Sequence, residues 1–549
     1  MFCNQCEQTI QGDGCTKVGV CGKNQETAAL QDLLTFAVRG LCSVAVAGRR
    51  FGVNDPEVNR FTLKAIFSTL TNVNFDPHRL QDLIKETVAK REELRCTIVG
   101  AGSNDQYDDP AAGLRPAADL AGLVRQGEEI RLPVDWERNA EVRSLQELTL
   151  YGIRGAAAYA DHAAILGQED DDVFASLQEK LSKITDKNLT AQHWVDLALD
   201  TGKTNLRAME LLDAGNTGHF GHPEPSLVNL GHKSGKAILV TGHDLKDLSN
   251  LLQQTEGQEV NIYTHGEMLP SHAYPELKKY AHLAGHFGSA WQNQKKELPD
   301  FPGPVLFTTN CIQEPAASYQ DNVFTTGLVA WPGTKHLQND DFGPLIEHAR
   351  QMPGFTKDED PGGVWVGYGR HTVLRDHPMG RVIDTLVDYV RAGTINHFFL
   401  VGGCDGAKPS RNYYNDFVDH APPDTVILTL ACGKFRFFDR DLGAINGVPR
   451  LIDVGQCNDA YSAIVVADAL SEALGKGINE IPLSLIVSWY EQKAVAILLT
   501  LLHKGFKGIR LGPSMPGFLT ADGPKVLVDK FNVQPISTPE KDIAACLGN

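Results

Sequence analysis

One pattern restricts this chain more than any other. From residue 237 onward, short β-branched or apolar runs each end in a loop that presents Cys, His, Glu or Lys. Ala237–Val240 runs into Thr241-Gly242-His243, and Val260–Tyr263 into Thr264-His265-Gly266-Glu267. Val305–Thr309 precedes Asn310-Cys311, Phe398–Val401 precedes Gly402-Gly403-Cys404, and Val426–Leu430 precedes Ala431-Cys432-Gly433. Leu451–Val454 leads to Gly455-Gln456-Cys457, and Leu483–Trp489 to Tyr490-Glu491-Gln492-Lys493. Helical stretches separate the runs, as parallel βαβ units require. Ligands of open parallel sheets sit beyond the carboxyl ends of the strands, so one site can collect all seven loops. A lone strand-end Cys is ordinarily a small buried hydrophobe, and a lone His or Glu a cap or surface residue. The recurrence, with Gly beside five of the seven runs to allow close backbone approach, favours a shared centre.

The chain before this region reads differently. Glu26–Gly48, Val142–Gly167 and Val173–Ile184 are rich in Ala, Leu and Glu, with apolar residues at helical spacing. Leu30–Gly40 (LQDLLTFAVRG) echoes Leu145–Gly155 (LQELTLYGIRG), which suggests two related helical bundles. Gly215–Pro225, with three Gly, two Pro and two His, reads as a linker, and Met352–Gly363 interrupts the α/β region. At 549 residues the chain exceeds what one core supports. The expected organisation is therefore a helical domain over residues 1–218 and two α/β domains over 219–356 and 357–549.

The net charge of −17 argues against nucleic acid, which is bound through surplus Lys and Arg. The N-terminus has no basic, apolar leader pattern. The most apolar window, Ala494–Leu502, is too short to cross a bilayer. The expectation is a cytoplasmic protein without a membrane partner. There, eleven cysteines are reduced thiols whose spacing decides their use.

Cys3, Cys6, Cys15 and Cys21 follow the spacing C-x2-C-x8-C-x5-C, with a Gly-bearing loop (Gln11–Gly14) between the pairs. Four thiolates on a short segment suit an iron–sulfur cubane or a zinc ion. The uneven gaps favour the cluster, since zinc ribbons usually offer two matched CxxC pairs. Cys42, Cys96 and Cys546 lack neighbouring ligands and read as inert thiols. In the second group, thiolates at 311, 404, 432 and 457 are soft donors suited to iron and sulfide. Glu267 and Glu491 are hard oxygen donors, and His243 is intermediate. One centre holding both classes would have a sulfide-rich and an oxygen-rich end, the latter leaving iron open to substrate.

These residues resemble the hybrid cluster (prismane) proteins over essentially the whole chain. The markers are the opening MFCNQCEQT, Gly242–Asp247, Tyr263–Pro270, Thr309–Cys311, Gly402–Gly406, Gly455–Tyr461 and Trp489–Lys493. The resemblance implies an N-terminal helical bundle domain followed by two Rossmann-like α/β domains, related to anaerobic carbon monoxide dehydrogenases. It implies a [4Fe-4S] cluster on Cys3, Cys6, Cys15 and Cys21, the short gaps matching the cubane branch of the family. It further implies a hybrid [4Fe-2O-2S] cluster surrounded by His243, Glu267, Cys311, Cys404, Cys432, Cys457, Glu491 and Lys493. Cys404 would carry a persulfide. The implied activity is reduction of hydroxylamine to ammonia and water, with His243, Glu267, Cys404, Glu491 and Lys493 at the reacting centre. His265 is a further proton-carrier candidate or a loop histidine bonded to backbone. Electrons would come from an external donor, such as an NADH-dependent iron–sulfur reductase or a ferredoxin-like protein. Nitric oxide reduction, peroxide removal, and protein S-nitrosylation or nitrosative-stress sensing use the same centre as alternatives. A nickel–iron centre oxidising carbon monoxide and a zinc hydrolase are further ones; Glu491 and Lys493 speak against nickel.

Overall fold

The computed structural model describes residues 1–12, 14–130, 139–376, 381–519 and 523–548. The Gly-bearing loop before Cys15 is described at Gly12 and Gly14; Asp13 lies outside the described residues.

The first part of the chain is helical because long apolar stripes follow strong start signals. Asn24 caps the helix Gln25–Arg50, and Asp55-Pro56 and Asp76-Pro77 start Pro56–Phe67 and Pro77–Gly100. Gln25–Arg50 packs on Pro77–Gly100, Leu120–Ile130 and Asp171–Lys183. Ala140–Ile165 packs on Ala191–Phe220 and on Gln492–His503, a helix from the far end of the chain. In both echoed segments the closing glycine lets another backbone come close. A side chain on Gly40 would strike the Ala111 carbonyl at 2.2 Å, and one on Gly155 the Gln492 carbonyl at 2.3 Å. Each Arg-Gly pair thus marks where a long helix meets another backbone at close range.

Two sequence readings change here. Gly215–Pro225 is not all linker, since Ala191–Phe220 continues through Gly215 and Gly218 and stops at Gly221. Gly215 is there for packing, as its Cα faces Leu166. Second, Gln25–Arg50, not Ala494–Leu502, is long and apolar enough to cross a membrane by length and composition. Yet 78% of its most apolar window is buried inside the fold, so its apolarity is that of a core helix.

Two six-stranded sheets follow. The first comprises β1 (Lys236–Thr241), β2 (Val260–His265), β3 (Leu283–His286), β4 (Val305–Phe307), β5 (Val323–Thr325) and β6 (Lys335–His336). The second comprises β7 (His397–Gly403), β8 (Thr425–Leu430), β9 (Leu451–Gly455), β10 (Leu483–Ser488), β11 (Arg510–Gly512) and β12 (Gln534–Pro535). The spatial orders are β3-β2-β1-β4-β5-β6 and β9-β8-β7-β10-β11-β12, parallel throughout. Both are the doubly wound order, in which the chain reverses direction between the first and fourth strands and opens a crevice at their carboxyl ends. A short antiparallel pair, Ser226–Asn229 with Gly363–Val366, joins the start of the first sheet unit to its end. A helical N-terminal region followed by two α/β units is the architecture expected from the sequence.

Candidate metal centre

The N-terminal cysteines lie close together. Cys3 and Cys15 exchange backbone hydrogen bonds at 3.0 and 2.8 Å. The Cys6 thiol is pushed well above the ordinary range by burial, then by the charges of Cys21, Cys3 and Cys15. Lys23 Nζ lies 3.7 Å from Cys3 Sγ. Four thiols gathered beside a single lysine are a set that a cation would neutralise. That donor set fits an iron–sulfur cluster.

The loop holding these cysteines is locked to the α/β part. Glu7 N–H donates to the Tyr490 carbonyl at 2.9 Å, and Gln492 Nε2 donates to the Gln5 carbonyl at 2.9 Å. The Glu7 carboxylate, inaccessible to solvent, meets Arg411 at 2.8 Å and Lys408 at 2.7 Å. Arg411 also donates to the Cys404 carbonyl at 3.1 Å. Burial, then the charges of Cys6, Cys21 and Cys311, pushes the Tyr490 hydroxyl well above its ordinary range.

The strand-end residues converge. His243 follows β1, Glu267 follows β2 and Cys311 follows β4, placing them around the crevice of the first sheet. Cys404, Cys432, Cys457 and Glu491 follow β7, β8, β9 and β10 around the crevice of the second. The two crevices face each other. Glu267 Oε2 accepts from Cys457 N–H at 2.7 Å and lies 3.3 Å from His243 Nε2; Cys432 Sγ donates to Glu267 Oε1 at 3.2 Å. Donor atoms of His243, Glu267 and Cys457 lie within 4.8 Å of one another. Lys493 Nζ donates to Asn310 Oδ1 at 2.9 Å, lies 3.1 Å from His243 Nε2 and 3.8 Å from Glu491 Oε1. Cys311 and Cys404 keep some exposed surface, whereas the other six candidates are buried.

Local conformation aims these side chains. Gly403 has φ of 112°, and a Cβ there would lie 2.2 Å from the Ser488 carbonyl, so β7 and β10 touch beside Cys404 only because the residue is glycine. Ala431, with φ of 60°, turns the chain sharply into Cys432 despite the strain of a left-handed conformation on an L-residue. Glu491 caps its own helix by accepting from Lys493 N–H at 2.7 Å, which ties the carboxylate to the start of Gln492–His503.

Burial and neighbouring charge shift most of these groups. Burial, then the nearby Glu491 and Glu267, pushes the Cys404 thiol up to about 12. Cys311, Cys432 and Cys457 are also raised, burial first and carboxylates next. Burial lifts Glu491 to about 6 against the pull of Lys493. Glu267 is held well below the usual carboxylate range, because His243, Lys493 and the Cys457 N–H together outweigh its burial. Lys493 is raised because Cys457, Glu491, Glu267 and Cys311 together outweigh its burial. Four thiols and two carboxylates around one ammonium and one imidazole fit a metal group that takes thiolate at one end and oxygen and nitrogen at the other.

Several contributors escape sequence reading. Thr309 Oγ1 is 2.9 Å from His243 Nδ1 and fixes the imidazole so that Nε2 faces Glu267. Asn310 Nδ2 donates to Cys311 Sγ at 3.2 Å while its oxygen holds Lys493. The Tyr159 hydroxyl, from the helical part, lies beside the Cys457 thiol. His265 faces away, bonded to Thr241 Oγ1 at 3.0 Å and Glu297 Oε2 at 3.1 Å. It is a structural histidine held by side chains rather than backbone. Cys42 is buried in the helical core, as expected of an inert thiol. A cavity of about 70 Å³, walled by Leu485, Val487, Ala463 and Ile497, runs between the second sheet and its helices to Cys404, Glu491 and Lys493.

Comparison with known proteins covers the whole chain. Residues 1–544 match the model of the Prismane/CO dehydrogenase family. Proteins named hydroxylamine reductase from Syntrophobacter fumaroxidans and Methanocella arvoryzae are 57% and 56% identical to it, each over 100% of both chains. The protein of that name from Solidesulfovibrio magneticus is 58% identical, again over 100% of both chains. Carbon monoxide dehydrogenase IV from Carboxydothermus hydrogenoformans shares the fold, with a TM-score of 0.57 at 14% identity over 99% of this chain and 92% of that one. A nickel-free carbon monoxide dehydrogenase from Thermococcus sp. AM4 gives 0.56 at 15% identity, over 99% and 90%.

Proposed function

The chain belongs to the Prismane/CO dehydrogenase family, and from that membership and its converging donors we propose that it is a hydroxylamine reductase. The reaction is NH2OH + 2 e− + 2 H+ → NH3 + H2O. The observation carrying this reading is the meeting of seven strand-end loops from two sheets in one buried mixed sulfur–oxygen–nitrogen site. Cys3, Cys6, Cys15 and Cys21 would hold a [4Fe-4S] cluster. His243, Glu267, Cys311, Cys404, Cys432, Cys457 and Glu491 would hold the hybrid [4Fe-2O-2S] cluster, with Lys493 beside its oxygens and Cys404 as the persulfide position. Bound there, such a cluster supplies electrons and Lewis-acidic iron for cleavage of an N–O bond.

The chain's own groups handle protons and position. Lys493 keeps an ammonium proton at Nζ, 3.1 Å from His243 Nε2. Glu491, buried at the start of Gln492–His503 and 3.8 Å from Lys493 Nζ, is the carboxylate placed to pass a proton in a reaction consuming two. Asn310 fixes the ammonium and Thr309 the imidazole. The hydrogen bond from Glu7 N–H to the Tyr490 carbonyl supports the N-terminal cluster as the electron entry, since it links the Cys6 loop to the segment of Glu491. An external one-electron carrier would feed it.

Anaerobically purified, iron-loaded protein with a reduced viologen dye should form one ammonia per hydroxylamine consumed. Glu491→Gln should lower that turnover by at least about a hundredfold with metal content unchanged. Wild-type protein with full iron that makes no ammonia would refute the assignment.

A further inference from the structure

A polar cleft of about 530 Å³ opens between the helix Ala140–Ile165, the helix Leu245–Thr255 and the loops after β4, β5 and β6. Its mouth carries exposed Lys64, Ile165 and Gln338, with Lys246 and Arg79 partly exposed. Its floor is different: Asp161, His162, Asp247 and Thr309 are all buried there.

The floor has hydrogen-bond acceptors without donors to match. Of the carboxylates in the cleft, Asp244 caps its own helix and Asp340 accepts from Asn250. Asp161 and Asp247 receive no hydrogen bond from any described residue, although Asp161 is only 3% exposed. His162, 7% exposed, has no partner at Nε2. Burial, then Lys493 and His243, keeps its imidazole neutral and therefore able to accept. Burial lifts Asp161 to about 7, and burial with the charges of Asp244 and Asp340 raises Asp247 strongly. The buried imidazole nitrogen without a partner is costly, and a ligand rich in N–H and O–H groups relieves that cost and meets the two carboxyl groups beside it. The floor also touches the centre. Thr309 lines it, and the Thr309 hydroxyl is 2.9 Å from Nδ1 of His243. The apolar cavity on the second sheet offers such a ligand almost no polar partner along its walls.

We propose that the floor formed by Asp161, His162 and Asp247 is a binding site for small amines of the ammonium class, receiving hydroxylamine before reduction and ammonium after it. The buried acceptors select a small molecule with several donor hydrogens. The part played by hydroxylamine rests on the functional reading above; the cation site does not.

Rubidium, similar in size and charge to ammonium, is the probe. Crystals of the iron-loaded enzyme soaked in rubidium chloride should show an anomalous peak at the Asp161 carboxylate, and Asp161→Asn should lose it. The same variant should raise KM for hydroxylamine about tenfold, with kcat within about twofold, as removal of one charged hydrogen-bond acceptor requires. Asp247→Asn repeats both measurements should Asp161→Asn fail to fold. No peak on the floor, a peak that survives Asp161→Asn, or an unchanged KM in both variants overturns the proposal. A rubidium peak in an enzyme that makes no ammonia keeps the cation site and removes the functional reading. Ammonia formation without the peak does the reverse.

Discussion

Replacing Lys493 with Met keeps the length of the side chain and deletes its charge. The ammonium is 2% exposed and lies 2.9 Å from Asn310 Oδ1 and 3.8 Å from Glu491 Oε1. Breaking a buried ion pair by removing one partner costs about 3–5 kcal/mol, because the other charge is left uncompensated. The sign with pH follows from the shifts. Lys493 is raised in the folded state, so its stabilisation is complete below the ordinary lysine pKa and lost only as pH climbs through the raised value; at pH 8 it is fully present. Glu491 is raised to about 6, so folding disfavours its charged form and a penalty builds as pH rises from the ordinary glutamate pKa to that value. Glu267 is depressed, so its stabilisation is present above the ordinary glutamate pKa and lost as pH falls through the folded one. Removing the ammonium enlarges the Glu491 penalty, a change that weighs more at pH 8 than at pH 5, and shrinks the Glu267 stabilisation almost equally at the two. In metal-free protein, thermal unfolding of Lys493→Met should start from a midpoint lowered by about 3–4 °C at pH 8 and by about half that at pH 5. An equal drop at the two pH values, or a larger one at pH 5, would refute the reasoning.

Three further outcomes follow from particular contacts. Cys6→Ser should remove about four iron atoms per chain, measured by metal analysis, and leave the iron at the second centre in place. Gly403→Ala combines a positive φ with a carbonyl 2.2 Å from the new Cβ, so it should cost about 2–4 kcal/mol and lower iron loading at the second centre. Glu7→Gln leaves Arg411 and Lys408 without their buried partner; amide exchange at residues 3–9 should accelerate by at least about tenfold, with the helical core unaffected.

What could be read in the sequence was what repeats. Each donor stands just past a strand, and strand ends are visible as apolar runs stopped by Gly, so His243, Glu267 and the four later cysteines were found together. The doubly wound order then brings those ends to two crevices that face each other. Residues acting on the donors left no such mark. Thr309 and Asn310 are ordinary loop residues until folding sets them against His243 and Lys493, and Tyr159 lies in a helix whose apolar stripe explains it fully. Within the helix Gln492–His503 the sequence singled out only an apolar window, Ala494–Leu502. Its packing against Ala140–Ile165 and Ala191–Phe220, which welds the helical part to the centre, depends on small residues such as Gly155 and Gly202 meeting a partner distant in the chain. Gly215 was misread for the same reason: close packing and chain termination both call for glycine, and only the neighbours tell them apart.

Iron-edge anomalous diffraction from anaerobically grown crystals bears most directly on whether the two sets of loops share one iron assembly. Two groups of iron peaks are expected. One should lie among Cys3, Cys6, Cys15 and Cys21, and the other should be bounded on one side by Cys311, Cys432 and Cys457 and on the other by His243, Glu267 and Glu491. Iron confined to the N-terminal cysteines, or zinc alone between Glu267 and Cys457, would contradict the shared centre.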